Sequence, residues 1–142
     1  MKKCLFISLI CVFLLSSIGY VFADTSYNLL TPNNPNCQGT NFEGVDFSGK
    51  NLSGFDFSRA KLEDANFKGA NLAGVNFQGA DLEKVNFEDA NLENVNFQDS
   101  DLDEANLKNA NIKGAIFKNA ELEYAIWVNG KICGAGSVGS CW

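Results

Sequence analysis

From Thr40 to Asn129 a large apolar residue returns at every fifth position, eighteen times without an insertion. These centres begin Phe42, Phe47, Leu52, Phe57, Leu62 and end Phe117, Leu122, Trp127. Two residues before each centre stands Ala or Val in fourteen of eighteen cases; one before stands Asn or Asp in fourteen of eighteen. The two positions after a centre are mostly polar, charged or Gly. A period of five matches neither a helix at 3.6 nor a strand at 2. On a helix the centres would be smeared around the axis. A chain that turns a corner every five residues keeps every centre inside. Four such sides close a square, and the chain then climbs by one strand spacing, about 4.8 Å. The pattern therefore predicts a solenoid of four pentads per turn.

The centres carry a second regularity. Phe and Leu alternate from Phe47 to Leu102, so residues twenty apart share a type. Stacked turns would place Phe47, Phe67 and Phe87 on one side and Phe57, Phe77, Phe97 and Phe117 on the opposite one. Tandem duplication of a ten-residue unit explains the alternation equally well. Departures from the pattern fall at the ends: Lys50 and Phe55 take small inward positions in the first turn, and Ile116 and Ile126 replace the outward Asn or Asp near the last. Open solenoid ends expose core and strand edges, so each needs a cap or a partner.

The flanks differ in kind. Residues 1–23 combine Lys2 and Lys3 with an apolar run from Cys4 to Ile18, then Val21 and Ala23 at −3 and −1 of a cut before Asp24. That is the design of a secretory signal peptide, and the run is short of the roughly 20 residues that span a bilayer. Residues 24–39 hold both prolines and no apolar period, which predicts an irregular lead-in. Residues 130–142 form a Gly-rich tail in which Cys133 and Cys141 enclose seven residues. In an oxidising compartment a disulfide is the expected fate of this pair, stabilising by roughly 2–3 kcal/mol through loop entropy. The bridge would hold a small lid over the last turn, with Trp142 against Ile126 or Trp127. Cys37 remains as a thiol, pairs with another chain, or competes for a tail cysteine.

The 142 residues carry 17 acidic and 11 basic side chains, a net of −6, with no His and 18 Asn. Such a charge disfavours a nucleic-acid binder, which needs clustered Lys and Arg. The missing His removes His-based catalysis, imidazole metal ligation and a pH switch near neutrality. Loss of residues 1–23 takes Lys2 and Lys3 with it, leaving 9 basic against 17 acidic groups, a net of −8. Folded at twenty residues per turn, this charge falls on one side. There stand Glu43, Glu63, Asp64, Asp81, Glu83, Asp101, Asp103, Glu104, Glu121 and Glu123, opposed only by Lys61 and Lys84. Like charges on neighbouring strands cost tenths of a kcal/mol each. A solvated face, a docking strip for a basic partner and weak Ca²⁺ binding all fit.

The tandem motif A-(D/N)-(L/F)-x-x, as in AKLEDANFKGANLAG and ADLEKVNFEDANLENVNF, resembles the pentapeptide-repeat family. The resemblance implies an all-β fold, a right-handed quadrilateral parallel β-helix of about 4.5 coils. Well-known members of that family mimic DNA and act on gyrase, so a cytoplasmic DNA-mimicking gyrase-interacting protein is the alternative function. An export signal and the lack of a helical C-terminal segment depart from it. The expectation is an exported scaffold, periplasmic or secreted, binding an unknown protein partner, a basic one if the acidic face is the contact, as a monomer or an end-to-end dimer. Neither nucleic acid nor, once the signal is removed, a membrane is an expected partner. No catalytic, metal or cofactor-binding residues are expected, because acids on a convex face have no pocket to raise a pKa.

Overall fold

The computed structural model describes residues 36–142. The signal-peptide segment and most of the lead-in lie outside the described residues. Within them the chain meets itself in register every twenty residues. Parallel bridges join Asn41 to Lys61, Asp46 to Asn66, Asn51 to Asn71 and Asp56 to Asn76, and the series continues without a break to Asn106 and Ile126. Four pentads thus make one turn, and the pentads fall into four columns. Each is named here by one centre: the Leu62, Phe67, Leu72 and Phe77 columns, in chain order.

Each contact between turns is a single bridge, and no extended strand forms among the described residues. Two of every five residues belong to a turn, which leaves too little straight chain for longer pairing. In each turn the N–H three residues after a centre donates to that centre's carbonyl, as Val45 does to Phe42 at 3.1 Å. The second residue after the centre holds φ near +60° in all eighteen turns from Gly39 to Tyr124. Positive φ there alone defines a type II turn, which favours Gly. Ten of these eighteen residues are not Gly, among them Arg59, Lys84, Glu104 and Tyr124.

Between turns, the centre's N–H donates upward to a carbonyl nineteen residues on, as Phe67 does to Asn86 at 2.8 Å. The outward residue's N–H donates back to a carbonyl twenty-one residues earlier, as Asn86 does to Ala65 at 3.0 Å. Backbone polarity is satisfied turn by turn, and the centres from Phe42 to Leu107 are buried. Phe rings stack along two columns: Phe47 on Phe67 at 4.8 Å, Phe57 on Phe77 at 5.5 Å and Phe77 on Phe97 at 5.5 Å. The two stacks meet edge to face across the interior, Phe67 to Phe77 at 5.8 Å. Such aromatic pairs are worth about 1 kcal/mol each beyond their burial.

The repeat begins one pentad earlier than the expected lead-in boundary at residue 39. Asn36 bridges Asp56, Cys37 is buried as a centre, and Gly39 takes the positive-φ turn position. Cys37 is small for a centre, and Pro35 two residues before it hides the register. Lys50 and Phe55 are half-buried, and Phe55 stacks on Phe57 at 5.8 Å.

At the other end Cys133 and Cys141 are bridged, with Cα atoms 4.9 Å apart. The tail folds back antiparallel on the last turn, Ile126 to Ile132 and Glu121 to Val138. Its bridges cap two columns, and Gly139 reaches the end of the Phe77 column, donating its N–H to the Ala120 carbonyl at 2.9 Å. Trp142 stands 62% exposed beside Gly134, held by a Gly134 N–H to Trp142 carbonyl bond of 3.0 Å rather than buried as a lid residue. No helix among the described residues is long and apolar enough to cross a membrane.

Candidate functional site

The outward residue before each centre does two jobs when it is Asn. Its Oδ1 accepts the N–H two residues on, and its Nδ2 donates to the Oδ1 of the residue one turn earlier. In the Phe67 column the chain runs Asn106 to Asn86 to Asn66 to Asp46, with steps of 3.4, 3.2 and 3.0 Å. In the Leu72 column it runs Asn111 to Asn91 to Asn71 to Asn51, each step 3.0 Å. In the Phe77 column it runs Asn96 to Asn76 to Asp56, each step 3.1 Å. Every amide donates toward the N-terminal end. The lowest rung therefore needs only an acceptor, which suits Asp46; Asp56 likewise only accepts, from Asn76, and ends its ladder although Asn36 lies one turn below.

The Leu62 column has no such ladder. Its outward residues are Asn41, Lys61, Asp81, Asp101 and Glu121. A carboxylate cannot donate, so Asp81 and Asp101, bridged neighbours, face each other without the amide bond that joins the other columns. All ten acids predicted for this side lie on it. Glu43, Asp64, Glu104 and Glu121 are exposed; Glu63, Asp81, Glu83, Asp101, Asp103 and Glu123 are half-buried.

Repulsion along the column acts on two of its carboxyl groups. Glu83, one turn away, pushes the Glu63 carboxyl above its usual range, and partial burial adds to the effect. Burial likewise raises Asp103, with repulsion from Asp101, Glu123 and Glu83, against the lowering effect of the Glu123 N–H it accepts at 2.7 Å. Only one ion pair relieves the column among the described residues, Lys84 to Glu83. By contrast, the Phe67 column pairs Lys68 with Glu88 at 2.6 Å and the Leu72 column pairs Lys113 with Glu93 at 3.4 Å. Ligand oxygens of Asp101, Asp103 and Glu121 come within 4.8 Å of one another. Taken one oxygen each, they offer three of the six to eight oxygens that Ca²⁺ takes.

The twenty-residue register thus brings together the residues that folding the sequence in fours had grouped. The amide ladders were missed. Their signal lies in the same letters, Asn at 66, 86 and 106 and at 71, 91 and 111.

The model of the pentapeptide repeat region matches residues 22–97 and 70–135, so the chain belongs to the pentapeptide repeat family. No curated protein sequence matches it significantly. Among solved structures it is similar to a pentapeptide repeat protein from the Arabidopsis thaliana thylakoid lumen, at 30% identity and a TM-score of 0.55. That match covers 72% of this chain and 84% of the other. It is also similar to HetL, a pentapeptide repeat protein involved in heterocyst differentiation regulation in the cyanobacterium Nostoc sp. strain PCC 7120. The identity is 35% and the TM-score 0.46, over 68% of this chain and 40% of HetL. A likeness to QnrB1, a plasmid-mediated fluoroquinolone resistance protein, is at 20% identity and a TM-score of 0.34, over 67% of this chain and 54% of that one.

Proposed function

We propose that this protein is an exported, non-enzymatic scaffold, built as a right-handed quadrilateral β-helix, whose Leu62 column docks a protein partner of basic character. Eighteen pentads from Thr40 to Asn129, at four per turn, correspond to about four and a half coils. One observation carries the docking assignment. Three columns use the outward position for an amide ladder, and the fourth gives up that stabilisation to stack carboxylates with one ion pair among them. Solubility alone needs no such concentration, since charge spread over four sides serves it as well. A rigid strip of one sign concentrates the field and speeds encounter with a partner of the opposite sign. Export is supported by the composition of residues 1–23 and by the Arabidopsis relative's home in the thylakoid lumen.

The test is a pull-down from the exported fraction with the parent protein and the triple variant Glu63→Lys, Glu83→Lys, Asp103→Lys. A partner held by the parent should be lost from the variant and from the parent at high salt. Recovery of the same partner by both proteins defeats the assignment, as does the absence of any salt-sensitive partner.

A further inference from the structure

The charge of this protein changes sign along the solenoid. Residues 36–106 hold fourteen acidic side chains against five basic ones, a net of −9. Residues 107–142, the last turn and the tail, hold four Lys against Glu121 and Glu123, a net of +2. The four Lys ring the end. Lys108, Lys113 and Lys118 follow the centres of three successive sides, and Lys131 lies above the first of these, its carbonyl accepting Trp127 N–H at 2.7 Å. All four are exposed; Lys113 reaches back to Glu93 at 3.4 Å, yet its side chain is 80% exposed. The two Glu stand on the fourth side, where the tail crosses above them: Val138 bridges Glu121, and Leu122 N–H donates to the Ser137 carbonyl at 2.9 Å. The same end carries the apolar surface. All five exposed large apolar side chains among the described residues, Ile116, Tyr124, Ile132, Val138 and Trp142, belong to it. Three of them face outward on different sides, Ile116 on the Phe77 column, Ile132 over Ile126 on the Phe67 column and Val138 over Glu121 on the Leu62 column. On the Leu72 column the N–H groups of Ile112 and Gly114 find no backbone partner among the described residues.

We infer that this end seats on an anionic lipid surface, tip first, with the acidic body standing off in water. Three properties meet there and nowhere else among the described residues. Cations ring the tip, which draws it to phosphate headgroups and orients the molecule, since the rest of the solenoid is repelled. Trp142, 62% exposed, and Tyr124 join an apolar body to a polar handle, the combination that favours the interfacial layer, and Ile132 and Val138 add aliphatic surface. The open N–H groups of Ile112 and Gly114 supply donors to headgroup oxygens. A rigid protein partner meets one side of the tip and leaves the apolar side chains of the other sides wet. A fluid interface surrounds all of them at once. In the sequence these side chains are scattered between positions 116 and 142 and form no apolar run, so no membrane partner is expected from it; stacked turns and the returning tail collect them. The seat is separate from the docking strip proposed above, whose Asp103, Glu83 and Glu63 lie one, two and three turns below Glu123.

Co-sedimentation with vesicles of the protein as processed from its full-length chain provides the test. Vesicles of equal parts phosphatidylglycerol and phosphatidylcholine should bind it at low salt, and vesicles of phosphatidylcholine alone should bind it at least about tenfold more weakly. The triple variant K108Q, K118Q, K131Q leaves the Lys113 to Glu93 pair intact and should bind the anionic vesicles roughly a hundredfold more weakly. W142S should weaken binding about tenfold. The four substituted side chains are exposed, so both variants should melt with the parent. Brominated acyl chains should quench the fluorescence of the bound parent more than that of W142S. No binding to the anionic vesicles overturns the inference, as does binding that the Lys variant and W142S leave unchanged. So does capture of an acidic protein by the Lys ring from an extract in which the vesicles stay bare.

Discussion

The amide ladders have a direction, and replacing Asn by Asp at two heights tests it. Asn91 makes three side-chain hydrogen bonds: its Oδ1 accepts Glu93 N–H at 3.3 Å and Asn111 Nδ2 at 3.0 Å, and its Nδ2 donates to Asn71 at 3.0 Å. Asn51, on the lowest rung, accepts from Ser53 N–H at 3.3 Å and from Asn71 at 3.0 Å and has no rung below it among the described residues. At about 0.5–1 kcal/mol per partly exposed bond, Asn91→Ala should cost roughly 2 kcal/mol and Asn51→Ala roughly 1. Asp keeps both acceptor bonds and strengthens them by charge. At position 51 nothing is lost, so Asn51→Asp should stay within about 0.5 kcal/mol of the parent. At position 91 the donor disappears and a carboxylate oxygen meets the Asn71 oxygen. The advantage of Asp over Ala should then vanish. Thermal unfolding of the four variants reads this directly, because 1 kcal/mol moves the midpoint by about 4 °C in a chain of this size. Equal rescue by Asp at both heights would refute the directional ladder. Comparing Asp with Ala at each site cancels the general weakness of a solenoid's end.

Further predictions concern the backbone, pH and two buried hydroxyls. Tyr124→Gly, at a turn position with φ 58°, should stabilise by roughly 1 kcal/mol. Gly114→Ala, with φ 73° and a Cβ driven into Asn94 Oδ1, should destabilise by more than about 1 kcal/mol; urea unfolding measures both. Glu63 and Asp103 titrate above their ordinary values when folded, so the native state holds protons that the unfolded chain releases. Stability from this source falls as pH rises just above their ordinary range. Asp46 is lowered chiefly by the Ser48 N–H and Asp99 by the Asn119 amide, and their contribution is lost only below pH 3.8. Melting temperature at low salt should therefore peak between these ranges, at about pH 4–5, and a steady rise to pH 7 would contradict the assignment. Ser137 Oγ is buried without a partner among the described residues, so Ser137→Ala should be neutral or stabilising. Ser100→Ala, which removes a 2.8 Å bond to the Phe97 carbonyl, should cost about 1 kcal/mol by calorimetry.

The solenoid was legible because its core period is strict and its side chains alternate between inside and outside at fixed positions. The acidic column followed once twenty residues were taken as a turn. The register's start was not legible, since Cys37 and Pro35 are poor tokens of a pentad although Asn36 and Gly39 fit it. The left-handed turn residues were partly written in Gly44, Gly49 and Gly54, then obscured by Arg59, Asp64 and Lys84 at the same position. The Asn excess pointed to a regular use. Its bonds run between residues twenty apart, however, and become apparent only with the turns stacked. The tail's antiparallel return has no periodic signature, and neither does the half-covered end it leaves.

The core and the surface of this solenoid keep different time. From Phe47 to Leu102 the buried centres repeat every ten residues, while the bridged surface repeats every twenty. Inserting twenty residues would lengthen the molecule and leave each face in place. Inserting ten would satisfy the core equally well, yet carry every later acidic pentad round to the opposite column, above Asn71 and Asn91. The interior cannot detect that half-turn error. The surface does detect it, because Asp81 or Asp101 set above Asn71 or Asn91 has no N–H to donate to the amide ladder.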